Sequence, residues 1–206
     1  MTNFDERAKD WDSDPVKVDR ARRVANAIRA AVDIRPGMSA LEYGCGTGLL
    51  SFFMKEDFAS ITLADTSEGM LEVLSDKIQA SKTANMHPVR LDLAADPLPV
   101  QKFHIIYSLM VLHHIPDTDV ILRKFYEVLE PGGWLVVADL DREDGSFHTD
   151  GSTDVHLGFA REELQRQVEA AGFTQVRFST AYQIKKMIGD ERRTFPVFLM
   201  TARQIS

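Results

Sequence analysis

The sequence has few of the features that mark secreted or membrane proteins. Its 206 residues include a single cysteine, Cys45, so no disulfide bond can form within the chain. The first residues are acidic and lack the apolar core of a signal peptide. No apolar run approaches the ~20 residues that a membrane helix needs. We therefore expect a cytoplasmic protein without a membrane partner.

The chain also lacks a dense run of basic residues. Its formal net charge is −7, whereas a nucleic-acid binder usually presents a basic face. Small basic groups at residues 20–23 and 185–193 are interpreted as solvent-exposed surface. We therefore expect no nucleic-acid partner. Hydrophobic residues make up 44% and charged residues 27% of the chain, as is typical of one globular domain.

Hydrophobic spacing alternates along the chain between the periods of strands and helices. The predicted strands cover residues 38–43, 60–64, 86–91, 103–108, 134–138, 175–179 and 195–200. The predicted helices cover residues 17–32, 48–54, 67–80, 120–129 and 161–171. This alternation predicts an open, mostly parallel α/β sheet with helices on both faces. Ligands bind such sheets at the carboxyl ends of the strands, near the point where the strand order reverses.

A glycine-rich turn follows the first predicted strand. Gly44, Gly46 and Gly48 alternate directly after that strand, and Glu42 precedes them. Glycine permits a tight turn and a close approach of the backbone to a ligand, and the next helix would present free N–H groups. The spacing differs from the G-x-G-x-x-G of nicotinamide-binding turns, because the third glycine comes one place early. A plain tight turn is the alternative interpretation.

Acidic residues follow the next two predicted strands. Asp65 ends the second strand, where a carboxylate can accept hydrogen bonds from both hydroxyls of a ribose. Asp92 lies one residue past the third strand and could accept a hydrogen bond from an adenine amino group. Each residue alone could equally be a helix cap or a loop aspartate. Together with the glycine turn, they predict a site for one elongated nucleoside.

These motifs resemble the class I S-adenosylmethionine (SAM)-dependent methyltransferases, especially the ubiquinone/menaquinone-type small-molecule methyltransferase domain. The resemblance runs from about residue 38 to 178, through residues 41–48, 64–71, 103–117, 129–133, 159–164 and 171–173. One departure is His104, where many relatives carry aspartate. The resemblance implies a Rossmann-like, doubly wound sheet of seven strands, mostly parallel with the last strand antiparallel.

The resemblance also implies the cofactor, the reaction and the residues that bind the cofactor. SAM would give its methyl group to an oxygen or nitrogen of a small molecule and leave as S-adenosylhomocysteine. The methionine part would bind at the glycine turn, the ribose at Asp65, the adenine at Asp92, and the sulfonium near Ser108. The implied cofactor-binding residues are Glu42, Tyr43, Gly44, Cys45, Gly46, Gly48, Asp65, Thr66, Met70, Asp92, Leu93, Ser108 and Leu109.

Two adjacent histidines follow the fourth predicted strand. We expect His113 or His114 to border the cleft and to take the proton of a hydroxyl acceptor, since a neutral imidazole suits that task. The alternatives are packing under the turn at residues 115–116, and methyl transfer by alignment alone. No metal is expected, because SAM carries its own activated methyl group. The six histidines are scattered, and this pair lacks the i, i+4 spacing of a helical metal site.

We expect one methyltransferase domain over residues 1–206, as a monomer or a homodimer. Residues 1–35 would form a helical lid or cap, with Trp11 as a roof over the site or as an anchor for the first helix. Residues 36–206 would form the core. The polar segment 141–158 and residues 182–193 would flank the acceptor. Candidate acceptor contacts are Phe147, His148, His156 and Tyr182.

Three other functions remain open at this point. A nicotinamide-dependent oxidoreductase of similar fold is disfavoured by the early third glycine and by the lack of a clear Tyr-x-x-x-Lys pair. A nucleic-acid or protein methyltransferase is disfavoured by the negative charge. A non-catalytic SAM-binding protein would have the same motifs, because function resides in the site and not in the fold.

Overall fold

The computed structural model describes residues 4–148 and 155–205. In this part of the chain the strands are β1 Ser39–Tyr43, β2 Ser60–Asp65, β3 Met86–Arg90, β4 Phe103–Leu109, β5 Leu129–Leu140, β6 Thr174–Ile188 and β7 Glu191–Arg203. The α-helices are α1 Phe4–Arg7, α2 Pro15–Ala31, α3 Leu49–Met54, α4 Glu68–Ser81, α5 Thr118–Val128 and α6 Arg161–Ala170. Two 3-10 helices cover Ala8–Ser13 and Leu112–His114.

The seven strands form one sheet in the order β3-β2-β1-β4-β5-β7-β6. The first five strands pair in parallel, whereas β7 runs antiparallel to both β5 and β6. The predicted seven-stranded sheet with an antiparallel last strand is therefore confirmed. The strand order reverses between β1 and β4, so the loops that follow these two strands border the expected ligand crevice.

Apolar side chains cover both faces of the sheet and form two core clusters. On one face, Val24 and Ile28 of α2 pack with Leu50 of α3. On the other face, Ile121 of α5 and Leu164 of α6 pack against the sheet. This is the doubly wound arrangement expected from the alternation of strands and helices. Among the described helices, none is both long and apolar enough to cross a membrane.

The closing strands are much longer than predicted. Thr174–Ile188 and Glu191–Arg203 form a hairpin that turns at Gly189, so residues 182–193 are mostly strand. The sequence of β6 does not reveal the length of this strand, because most of its side chains are at least partly exposed and polar. Residues 129–133, predicted to end a helix, open β5 instead, since Leu129 pairs with Phe103 across a bulge.

Candidate active site

A cavity of about 1120 Å³ lies at the carboxyl ends of β1 to β4. Its walls come from the turn after β1, the ends of β2 and β3, and the segment after β4. The N-terminal helices cover it from above. The predicted site residues that line this cavity are Glu42, Tyr43, Gly44, Cys45, Gly46, Asp65, Thr66, Met70, Asp92, Leu109, His113 and His114.

Three of the residues predicted to bind the cofactor lie beside this cavity without lining it. Gly48 is the N-cap residue of α3, with a φ of 77° that suits glycine. Leu93 is fully buried in one of the core clusters, and Ser108 is buried in β4. The cofactor-binding role of the whole set remains a prediction.

The backbone of the glycine turn is held against the neighbouring strand. The N–H groups of Gly44 and Cys45 both donate to the carbonyl of Ala64, at 2.8 and 3.0 Å. A Cβ atom at Gly44 would overlap the side chain of Val111, and the φ of this residue is 69°. Only glycine fits both conditions. The close approach of this turn to the segment after β4 therefore requires glycine at position 44.

Glu42 is a buried acid at the cavity wall. Its carboxylate accepts a hydrogen bond from the hydroxyl of Ser51, whose oxygen lies 2.6 Å from the hydroxyl of Tyr107. Burial raises the pKa of Glu42 to about 8. A cationic group in the cavity would favour the ionised carboxylate and pull this pKa down. Glu42 is therefore suited to bind a ligand ammonium group.

Asp65 and Asp92 end β2 and follow β3, and both carboxylates are held by backbone groups. Asp65 accepts hydrogen bonds from the N–H of Gly46 at 2.7 Å and of Ser67 at 2.9 Å. Asp92 accepts from the N–H of Ala94 at 2.9 Å. Each carboxylate has about four acceptor sites, so both keep lone pairs for ligand hydroxyl or amino groups.

Behind the turn after β4, a buried carboxylate holds a buried histidine. Nδ1 of His113 lies 2.6 Å from Oδ1 of Asp139, and the backbone N–H of His113 donates to Oδ2. Burial alone would raise the pKa of Asp139, but the His113 ring and backbone hydrogen bonds hold it below its ordinary value. Because Nδ1 faces this carboxylate, Nε2 is the ring nitrogen that remains for a ligand. Asp139 was not predicted from the sequence. The feature that could have indicated it is an acidic residue near the end of the apolar strand β5.

The structure corrects the expectation of scattered histidines. The ring centroid of His113 lies 4.0 Å from that of His114 and 5.2 Å from that of His148. One ring nitrogen of each residue lies within 4.8 Å of the other two. Nε2 of His113 is buried and has no hydrogen-bond partner within residues 4–148 and 155–205. These three side chains, the histidine cluster, could hold a metal ion.

The expected acceptor contacts are only partly brought together. Phe147 and His148 line the cavity, whereas His156 and Tyr182 do not. His156 instead fastens the end of its loop, because its N–H donates to the carbonyl of His113 at 2.8 Å. Of the predicted loop 141–158, residues 149–154 lie outside the described residues.

Three of the basic side chains line the cavity, which corrects the interpretation of Arg20 as solvent-exposed surface, whereas Arg22, Arg23 and Arg192 are exposed as predicted. Arg20, Lys185 and Lys186 all line it, because α2 packs across β6 and β7 and turns Arg20 inward. Nε of Arg20 is buried, and no described residue is its hydrogen-bond partner. Burial lowers the pKa of Arg20, although nearby acids oppose this. A buried guanidinium without a paired carboxylate is suited to a ligand anion.

The N-terminal helices lie across the cavity, and two aspartates hold them there. Asp5 accepts hydrogen bonds from the hydroxyl of Ser67 at 2.5 Å and from the N–H of Gly69 at 2.9 Å. Asp12 accepts from Thr47 and Lys77. Phe4 and Trp11 line the cavity from this side. Trp11 also lies under Lys17, whose Nζ is 3.6 Å from the ring centroid.

The chain is similar to known methyltransferases. A family model described as a methyltransferase domain matches residues 17–177. The phosphoethanolamine N-methyltransferase 3 of Arabidopsis thaliana is 31% identical over 112 residues, which cover 54% of this chain and 23% of that protein. The ubiquinone/menaquinone biosynthesis C-methyltransferase UbiE of Shewanella woodyi is 33% identical over 112 residues, 52% of this chain and 45% of that protein. The chain thus spans less than half the length of these curated relatives.

Solved structures share the fold at low sequence identity. A SAM-dependent methyltransferase from Aquifex aeolicus matches with a TM-score of 0.71 and 18% identity, over 98% of both chains. A phosphoethanolamine N-methyltransferase 2 of Haemonchus contortus, solved with S-adenosyl-L-methionine, matches with a TM-score of 0.73 and 17% identity, over 89% of this chain and 52% of that one. Sheet order, glycine turn and family model agree, and the chain belongs to the methyltransferase domain family, with the class I SAM-dependent fold.

Proposed function

We propose that this protein transfers a methyl group from SAM to an oxygen or nitrogen atom of a small molecule. The observation that carries the proposal is the convergence of the glycine turn, Glu42, Asp65 and Asp92 on one cavity. Its volume of about 1120 Å³ exceeds the roughly 300–1,000 Å³ of typical small-molecule sites. There is room for the cofactor and an acceptor together.

The chemistry of the lining fits each part of the cofactor. Glu42 is placed to bind the ammonium group of the methionine part, next to the turn backbone. Asp65 retains acceptor sites for the two ribose hydroxyls, and Asp92 retains them for the adenine amino group. A flat ring can pack against the buried side chain of Met70. These four side chains are therefore complementary to the methionine, ribose and adenine parts of SAM.

SAM supplies a methyl group that its sulfonium already activates, so the protein chiefly aligns donor and acceptor. The covering N-terminal helices would exclude water from the site, held by Asp5 and Asp12. These contacts support the predicted lid role of residues 1–35. The contacts of Asp5 join exposed groups and open at low cost, whereas those of Asp12 are partly buried.

His113 is the residue that we propose to act on the acceptor. Asp139 fixes its ring, and Nε2 is left without a protein partner among the described residues. If the acceptor is a hydroxyl, this nitrogen can take its proton directly, as expected from the sequence, or hold a metal ion that lowers the pKa of the hydroxyl. His114 lies beside it at the cavity wall.

The acceptor that we propose carries an anionic group. Arg20 would bind that group, since its buried Nε has no hydrogen-bond partner among the described residues and Lys17 also lines the cavity. The names of the relatives, which include phosphoethanolamine N-methyltransferases, are consistent with small anionic acceptors. We further propose a cytoplasmic enzyme that acts as a monomer or homodimer.

The proposal is tested by incubating the purified protein with methyl-labelled SAM and a fractionated pool of small metabolites. We expect label in a small product, and much less of it with the Asp65→Ala variant at low SAM concentration. Label only in RNA or protein would favour a macromolecular acceptor. SAM binding without any labelled product would favour a non-catalytic SAM-binding protein, and tight NADH binding without SAM binding would favour an oxidoreductase.

A further inference from the structure

We infer that His113, His114 and His148 bind a divalent transition-metal ion at the acceptor side of the cavity. One ring nitrogen of each residue lies within 4.8 Å of the other two. Three histidines are a known ligand set for zinc, and they leave the fourth position open for water or substrate. Imidazole also suits iron, copper and nickel, so three histidines indicate a transition-metal ion without selecting one of these metals.

Asp139 completes the arrangement that metal-binding histidines require. A histidine ligand usually donates its second ring N–H to a carboxylate, which fixes the ring and strengthens the ligand. Nδ1 of His113 lies 2.6 Å from Oδ1 of Asp139, so Nε2 is the nitrogen left for a ligand. That atom is buried, and His113 as a whole is 1% exposed. An unsatisfied buried nitrogen is costly, and a bound ion would satisfy it.

Separate parts of the chain bring the three rings together. His113 and His114 lie in the 3-10 helix Leu112–His114, and Asp139 anchors the backbone of His113. His148 follows Phe147, whose ring packs on Phe195 at a centroid distance of 5.2 Å. The carbonyl of Phe147 also accepts a hydrogen bond from Lys186 at 2.8 Å. His148 is therefore held at the cavity by its neighbour.

Proton transfer alone does not account for this cluster. A base needs only His113 and Asp139, whereas two further imidazoles stand beside them. Ligand nitrogens around a tetrahedral zinc lie roughly 3.3 Å apart, because each Zn–N distance is roughly 2.0–2.1 Å. The cluster must close by about 1.5 Å at most to reach this separation. His114 and His148 are only partly buried, so side-chain rotation can supply the movement.

The ion would face the acceptor, and this role rests on the proposed function, whereas ion binding does not. A bound divalent ion can coordinate an acceptor oxygen and lower the pKa of its hydroxyl. This favours oxygen over nitrogen as the methylated atom. The three histidines would then be positioning residues for the acceptor, in place of a single proton-accepting His113.

The test uses the full chain after removal of metals with a chelator. Zn²⁺ is titrated in competition with a chromogenic chelator, and Co²⁺ is followed by its visible absorption, which reports coordination geometry. We expect one ion per chain. His114→Ala and His148→Ala should each weaken Zn²⁺ binding at least tenfold, as Asp139→Asn should through the ring of His113. His87→Ala, which removes an exposed histidine on β3, should leave it unchanged.

Calorimetry with S-adenosylhomocysteine on every variant checks that the fold persists and separates the two proposals. Zn²⁺ binding that is substoichiometric, or that survives both histidine variants unchanged, overturns the metal site. If S-adenosylhomocysteine binds in that case, the proposed function stands without the metal. Stoichiometric, histidine-dependent Zn²⁺ binding without nucleoside binding would instead support the metal site and contradict the proposed function.

Discussion

The carboxylate of Asp5 accepts a hydrogen bond from the backbone N–H of Gly69 at 2.9 Å. This contact joins the N-terminal cover to the first turn of α4, four residues beyond Asp65. Hydrogen bonds from Ser67 and Gly69 hold the pKa of Asp5 below its ordinary value. The N-terminal helices are thus hydrogen-bonded to the segment that follows the proposed ribose site, although the two are distant in sequence.

Loss of this contact should open the cover. We expect Asp5→Asn combined with Asp12→Asn to speed hydrogen exchange in residues 4–16 and to weaken SAM binding by about 1 kcal/mol, the usual value of a helix cap. Asp10→Asn is the control, because Asp10 is exposed on the same segment. Hydrogen exchange with and without SAM is the measurement. Equal protection in both states would contradict a lid role.

Asp65 should contribute strongly to SAM binding. Asp65→Ala should weaken it by roughly 1–3 kcal/mol, because a charged acceptor for two hydroxyls is lost. The variant also frees the N–H of Gly46 and should lower the melting temperature slightly. Asp76→Ala, an exposed position on α4, is the matched control. If calorimetry finds the same affinity in both variants, Asp65 serves only to hold the turn.

Glu42 should make the stability of the protein depend on pH. Its pKa is raised from 4.5 to about 8 in the folded protein, so the folded chain holds a proton that the unfolded chain releases. This contribution is fully present below pH 4.5 and is lost as pH rises through about 8, by up to ~1.4 kcal/mol per pH unit.

Urea unfolding of the ligand-free protein at pH 5 and pH 8 measures the effect. The free energy of unfolding should fall between these values in the natural protein and fall less in Glu42→Gln. Glu72→Gln, at an exposed site on α4, should behave as the natural protein. SAM affinity should rise over the same range, since its ammonium prefers the ionised acid. Parallel pH profiles for all three proteins would refute a raised pKa.

Arg20 should lower the thermal stability of the ligand-free protein. We expect Arg20→Met to raise the melting temperature, because it replaces a cation whose buried Nε has no hydrogen-bond partner among the described residues with an apolar side chain. Inorganic phosphate should stabilise the natural protein against heat, and this stabilisation should be absent in the variant. Arg22→Met is the control, since Arg22 is exposed and paired with Asp19. If Arg20→Met weakens SAM binding instead, Arg20 binds the methionine carboxylate and not the acceptor.

The sequence predicted the sheet and the cofactor side of the cavity because both depend on local patterns. Glycine spacing and an acid at a strand end each arise from a few consecutive residues. On the acceptor side the sequence indicated His113, His114, Phe147 and His148, but not how they are brought together. His113 and Asp139 meet only because β4 and β5 are neighbours, with Leu109 paired to Ala138. Arg20 has the local pattern of a surface residue, and only the packing of α2 on β6 turns it inward.

The histidine cluster shows the same limit. His148 lies in a polar segment without periodicity, and its position depends on Phe147 packing against β7. The long β6–β7 hairpin was also missed, since the polar side chains of its edge strand suggest a loop. The positions of His148 and of the hairpin strands depend on contacts between residues that are far apart in sequence, and local sequence patterns do not reveal such contacts.

The most direct test of the central claim is calorimetric titration of the purified chain with SAM and, separately, with NADH. The account predicts one SAM site per chain and no tight NADH site. It also predicts a loss of roughly 1–3 kcal/mol for SAM in Asp65→Ala, but not in Asp76→Ala. Tight NADH binding without SAM binding would contradict the account.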